Sequence, residues 1–136
     1  MQKRSTVAVL IDVDGTLASP YRNGIRTIRP SALEAVRFLS EQAAVFLWSH
    51  SGSENGQRLL EEFPELEEFI SGSYGKHDFP RDQFIEIYCI DDEEVDPQVL
   101  AENRIILESS YTGGDDTEEL IEAAGLILED IISNGE

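Results

Sequence analysis

Val7-Ala8-Val9-Leu10-Ile11 is an unbroken apolar run that leads straight into Asp12-Val13-Asp14-Gly15-Thr16-Leu17. A strand with one wet face alternates apolar and polar residues. A continuous, partly β-branched run suits a strand covered on both faces, as strands of parallel sheets are. Ala43-Ala44-Val45-Phe46-Leu47-Trp48 repeats the pattern, as does the stretch from Phe84 to Ile90. Phe69-Ile70 and Arg104 to Leu107 predict two shorter strands. Amphipathic stretches lie between them. Ser31 and Glu34 have capping-box spacing after Pro30, and Leu33, Val36, Phe38 and Leu39 follow at helical intervals. A second helix is expected from Glu54 to Phe63, stopped by Pro64. Asp96-Pro97 opens a short one, with proline at the first helical position. Asp115 or Asp116 caps the last, which reaches Ile132 with Leu120, Ile121, Ala124, Leu128 and Ile131 on its apolar side. Strand and helix in alternation predict an α/β fold, a doubly wound parallel sheet of about five strands with helices on both faces.

The length, 136 residues, suits one domain spanning 1–136. At 40% hydrophobic residues the chain has the material for a core. The formal charge of −18 argues against general nucleic-acid binding and against anionic lipid. That charge is unevenly placed. Residues 1–40 carry six basic and three acidic residues, a net of +3, and residues 41–136 carry four basic and 25 acidic, a net of −21. One cysteine, Cys89, excludes an internal disulfide and reads as a small buried apolar residue. No apolar run approaches the roughly 20 residues of a membrane span, and the first residues show no cleavage pattern, so a cytoplasmic protein is expected.

In parallel α/β sheets, ligands bind at the carboxyl ends of the strands. Here those ends deliver Asp12 and Asp14, then Ser49-His50-Ser51-Gly52, then Gly75-Lys76-His77-Asp78 and finally Asp91-Asp92. These groups suit a divalent cation and a phosphoryl group. A carboxylate can attack phosphorus and form an aspartyl-phosphate, which splits one displacement into two. Mg²⁺ and a lysine offset the repulsion between the two anions. A second carboxyl group protonates the leaving oxygen and then deprotonates water. Asp12, fixed at the strand end, suits the nucleophile. Asp14, two residues on where the chain turns back, suits the acid/base, and Gly15 permits that turn.

Asp12-Val13-Asp14-Gly15-Thr16-Leu17 behind an apolar strand resembles the first motif of the haloacid dehalogenase (HAD) superfamily. Trp48-Ser49 resembles its second motif, Lys76 its third and Asp91-Asp92 its fourth, in the right order. The resemblance implies a Rossmann-like sheet and Mg²⁺-dependent phosphoryl transfer. It implies Asp12 as nucleophile and metal ligand, and Asp14 as acid/base with its carbonyl on the metal. Ser49 would bond the phosphoryl group, and Lys76 would neutralise nucleophile and phosphate. Asp91 would be the metal ligand of its pair, with Asp92 close by or reaching the metal through water. An acid at position 14 points to a phosphatase or phosphotransferase. Family members often carry a cap domain, but Leu17 to Ser31 leaves room only for a loop or hairpin flap, and Ser53 to Gly75 for one helix and a short strand. A capless core with an open site follows, acting on a small phosphorylated molecule or a macromolecular end. The stretch from Lys76 to Asp91 is shorter than in many relatives, which place a full helix there.

Arg22, Arg26 and Arg29 fall in or beside the expected flap and are read as a positive entrance for substrate. His50 and His77 adjoin motif residues and are read either as substrate contacts or as surface histidines. Trp48 suits the core better than a stacking platform. Two other functions fit part of the pattern. A phospho-accepting receiver domain has similar chemistry, but its acidic pair comes early and its lysine last. A non-catalytic HAD-like binding module would keep the fold without turnover.

Overall fold

The computed structural model describes residues 7–49, 51–76, 78–92, 104–106, 111–114 and 116–134. In chain order the elements are β1 (Val7–Asp12), α1 (Ala32–Ser40), β2 (Ala44–Ser49), α2 (Ser53–Glu62), β3 (Gly72–Gly75), β4 (Glu86–Asp91), β5 (Arg104–Ile106) and α3 (Glu119–Asn134). Turns of 3₁₀ helix follow α2 at Pro64–Phe69 and precede β4 at Arg81–Gln83. The strands pair in the order β3-β2-β1-β4-β5, every pair parallel. The expectation of about five strands meets a parallel body of four, β3-β2-β1-β4, which the three residues of β5 continue outside β4.

Register lines up the strand ends. Asp12 of β1 pairs with Trp48 of β2, Ser49 pairs with Gly75 of β3, and Ile11 pairs with Ile90, one residue before Asp91. The carboxyl ends of four strands therefore open at one level.

The two faces of the sheet are covered differently. Val9, Ile11, Val45, Leu47, Tyr88 and Ile90 pack under α1 and α3, with Leu59 of α2 and Leu66 beside them. Each fully buried leucine there contributes roughly 1.5–3 kcal/mol. Ala8, Leu10, Phe46, Trp48, Ile87 and Cys89 form the opposite face. There Phe79, with Tyr74 and Phe84 at its margin, covers the strands, and Phe46 meets Phe79 edge-on at 5.2 Å. Helices on both faces were expected. Among the described residues all three helices lie on one face, and aromatic rings close the other, because the short link from Lys76 to β4 folds only a single 3₁₀ turn. The helix expected at Asp96-Pro97 lies outside the described residues.

Other expectations are corrected. β3 forms at Gly72–Gly75, and Phe69-Ile70 instead closes the 3₁₀ turn before it. β4 begins at Glu86, two residues beyond Phe84. The buried side of α1 is Ala32, Ala35, Val36 and Leu39, so Leu33 turns outward. The Ser31 hydroxyl makes no cap bond; its backbone N–H donates instead to Asp116 Oδ2 at 2.8 Å. Asp116 thus closes the start of α1 rather than the start of α3, where the Glu119 N–H reaches Thr117 Oγ1 at 3.4 Å. Asp115 lies outside the described residues.

Between β1 and α1 the chain forms a hairpin. Ala18 bridges Ile28, and Arg22 bridges Ile25. Asn23 and Gly24 take positive φ of 56° and 78°, the backbone a two-residue turn of this hand requires.

Candidate active site

Asp12 ends β1, almost wholly buried, and accepts a bond from Thr16 Oγ1 at 3.3 Å. The chain then turns sharply. The N–H groups of Leu17 and Ala18 both return to the Val13 carbonyl, and the Gly15 N–H donates to the Ala18 carbonyl at 2.7 Å. Gly15 has φ +87°, and a Cβ there would collide with the Asp92 carboxylate. Glycine is therefore needed twice over, for its backbone angle and for the approach of Asp92. The Tyr111 N–H holds the Gly15 carbonyl at 2.7 Å.

Asp12, Asp91 and Asp92 bring carboxylate oxygens within 4.8 Å of one another, and together they could hold a metal ion. Lys76 follows β3 directly and is buried beside them. Its Nζ donates to Asp91 Oδ2 at 2.5 Å and stands 3.4 Å from Asp12 Oδ1, with the Trp48 ring centroid at 5.2 Å. Burial and then the charge of Asp91 push the Asp12 carboxyl up to about 9, with Lys76 pulling against them. Burial acts to lower the Lys76 ammonium, but the Asp12 and Asp91 carboxylates outweigh it and raise it.

The Asp14 carboxyl is held by the hairpin and by α2. Arg26 Nη1 donates to its Oδ1 at 3.1 Å, and Asn55 Nδ2 donates to its Oδ2 at 3.0 Å. Its side chain remains 39% exposed. Ser49 closes β2, and its Oγ accepts from Asn55 Nδ2 at 3.0 Å and from the Ser51 N–H at 3.2 Å. Gly52, with φ 101°, starts α2 immediately beyond it. Asp12, Asp91, Asp92 and Lys76 thus form one cluster, with Asp14 and Ser49 joined through Asn55 next to it.

The positive entrance expected from the flap arginines is overturned for two of the three. Arg26 is enclosed and occupied by Asp14, Asn55 and Glu62. Arg29 is also buried, with Nε on Asp116 at 2.7 Å, Nη1 on the Thr16 carbonyl at 3.1 Å and Nη2 on Thr117 at 3.0 Å. Both serve the inside of the molecule, because acids far along the chain fold back onto them. Arg22 alone of the three is exposed. His50 and His77 lie outside the described residues. Trp48 and Cys89 are buried core residues.

Sequence reasoning missed Asn55. It lies in the first turn of α2, six residues after Ser49, and no motif singles it out.

No protein-family model matches the chain, and no curated protein matches it. Among the described residues no helix is long and apolar enough to cross a membrane.

Proposed function

We propose that this chain is a Mg²⁺-dependent phosphomonoester phosphatase of the haloacid dehalogenase type, a capless cytoplasmic core with Asp12 as nucleophile and Asp14 as general acid/base. The observation that carries the reading is the meeting of Asp12, Asp91, Asp92 and Lys76 at the carboxyl edge of a parallel sheet. The metal-binding set is all carboxylate oxygen, the hard donor type that Mg²⁺ takes. Asp12, Asp91 and Asp92 would hold the ion, with the Asp14 carbonyl as a further ligand. Bound there, Mg²⁺ supplies the charge neutralisation that lets a carboxylate approach a phosphoryl group.

The residues divide the work. A carboxylate oxygen of Asp12 forms a bond to phosphorus while the bond to the leaving oxygen breaks. Asp14 gives that oxygen a proton. It then takes a proton from a water whose oxygen attacks phosphorus, which frees phosphate and regenerates Asp12. Lys76 balances charge on Asp12 and the phosphoryl oxygens, and the Ser49 hydroxyl orients one of them. The substrate is a phosphorylated small molecule or a phosphorylated macromolecular end, reached through an open mouth.

Hydrolysis of p-nitrophenyl phosphate and of a broad panel of phosphoesters, with and without Mg²⁺, tests the reading. Mg²⁺-dependent turnover that disappears in Asp12→Asn is expected. An inactive wild-type protein across the panel would overturn it in favour of a binding module.

A further inference from the structure

α3 buries Leu120, Ala123, Ala124, Ile127 and Ile131 and turns the opposite arc to solvent. Glu118, Glu122, Gly125, Leu126, Glu129 and Ile132 recur along that arc at helical spacing. Leu126 is 58% and Ile132 55% exposed, and Glu122, Gly125, Leu126 and Glu129 line a shallow groove of about 540 Å³. Three features of the arc disfavour the helix as it stands alone. Gly125 is a poor helix former. A Cβ there would meet nothing within 4 Å, so no close approach inside the molecule asks for glycine. Glu118 and Glu122 stand one turn apart, like charges at the spacing where opposite charges stabilise. Glu129 and Asp130 lie toward the C-terminal end, where the helix dipole favours cations, yet α3 contains no lysine or arginine. A partner that brings cations and an apolar side chain answers all three.

We propose that the outward arc of α3 docks a basic amphipathic helix of a partner protein. An apolar side chain of the partner sits in the notch over Gly125, against Leu126. Lysine or arginine on either side of it reaches Glu122 and Glu129. These two carboxylates stand two turns apart, roughly 10 Å along the axis, so the partner's cations flank its apolar residue at the same interval. Charge decides between occupants. Residues 41–136 carry a net of −21, which repels a second copy of this chain and an anionic membrane alike. A cationic helix is drawn to the same surface, and the groove with Leu126 selects one that also carries an apolar side chain. The Tyr88 hydroxyl bonds both Asp130 and Glu86, the first residue of β4. The second half of α3 therefore lies by the amino end of that strand, and a docked partner leaves the carboxyl ends open. The surface is independent of the phosphatase reading.

The test is fluorescence anisotropy of a fluorescein-labelled helical peptide of leucine and lysine, with lysines two turns apart about a central leucine. It is titrated with the whole protein at physiological salt, which screens long-range attraction. Leu126→Asp removes the apolar contact and adds an acid. It should weaken binding about tenfold, the value of most of one buried leucine, whereas attraction to net charge alone would tighten it. Gly125→Glu fills the notch, adds an acid and improves helix propensity, so it should fold at least as well as the parent and also bind more weakly. Glu122→Gln with Glu129→Gln should weaken binding about fivefold. Glu65→Gln with Glu68→Gln, an equal change of charge on the 3₁₀ turn after α2, should stay within about twofold. Circular dichroism identifies any variant that fails to fold, and Gly125→Glu then decides. A wild-type protein that does not bind the peptide, folded Leu126→Asp or Gly125→Glu protein that binds it as well as the parent or better, or equal losses from the two glutamine pairs, overturns the proposal. A dimer of the protein alone that Leu126→Asp breaks assigns the face to a second copy and overturns it too.

Discussion

Asp116 accepts the backbone N–H of Ser31 at 2.8 Å, so a carboxylate from ahead of the last helix closes the start of the first. The same side chain takes Arg29 Nε at 2.7 Å, and Arg29 in turn holds the Thr16 carbonyl of the turn behind Asp12. This one acid ties α1, the approach to α3 and the turn after β1 together. Asp116→Ala should cost about 3 kcal/mol, because it strands a buried guanidinium. Urea denaturation of the variant and the parent measures it.

The pH dependence of that contact has a definite sign. Burial acts to raise the Asp116 carboxyl, but the bonds from Ser31 and Arg29 outweigh it and hold the group below its ordinary 3.8. A depressed folded-state pKa adds stability that is fully present above the unfolded value and is lost as pH falls through the folded one. Asp116→Asn should therefore flatten the acid limb of the stability curve below about pH 4 and change its shape little at neutral pH. Denaturation midpoints from pH 2 to 7 would show this, and an unaltered acid limb would refute it.

Gly15→Ala should disturb the cluster of Asp12, Asp91 and Asp92 more than the fold. The strained backbone costs about 1 kcal/mol, and the methyl displaces the Asp92 carboxylate. Calorimetric titration with Mg²⁺ should show weakened binding in a protein whose circular dichroism is unchanged.

Mg²⁺ should raise the melting temperature of the wild-type protein. A ligand at one hundred times its Kd stabilises by about 2.7 kcal/mol, and chelation should reverse the rise. Asp91→Asn should abolish the response, since Asp91 is one of the three carboxylates in the cluster. An equal shift in variant and parent would place the cation elsewhere.

Gly56→Ala should run against helix propensity. Alanine in a helix interior ordinarily gains about 1 kcal/mol over glycine. Here a Cβ would strike Ser73 Oγ on β3 and come within 3.1 Å of Leu47 Cβ on β2. The variant should be less stable than the parent, and Ser73→Gly should restore part of the loss. A stabilised Gly56→Ala would show that α2 can move away from the sheet.

The legible parts of the molecule are those written in neighbouring residues. β1 and β2 follow from unbroken apolar runs, and the turn after Asp12 follows from Asp14-Gly15. β3 was hidden because Gly72-Ser73-Tyr74-Gly75 has no apolar run, and its small residues answer to the close approach of α2. The meeting of Asp12, Lys76, Asp91 and Asp92 followed from strand ends in order. The roles of Arg26 and Arg29 did not, since a charge count along the chain cannot reveal that Glu62 and Asp116, 36 and 87 residues away, fold onto them. Asn55 was invisible for the same reason: its partners Asp14 and Ser49 belong to other elements.

The hairpin tip at Asn23-Gly24 has a consequence for engineering. Arg22 and Ile25 exchange both backbone bonds at 2.8 and 3.1 Å, so the turn closes on itself, and all four residues from Arg22 to Ile25 face solvent. Exposed tips of this kind tolerate spliced-in sequence. A folded module inserted between Asn23 and Gly24 would leave the sheet and its five pairings of β1 with β2 untouched. Through Arg26 it would be tethered next to Asp14. The chain thus offers a graft point from which a chosen recognition module could be hung at the rim of the site.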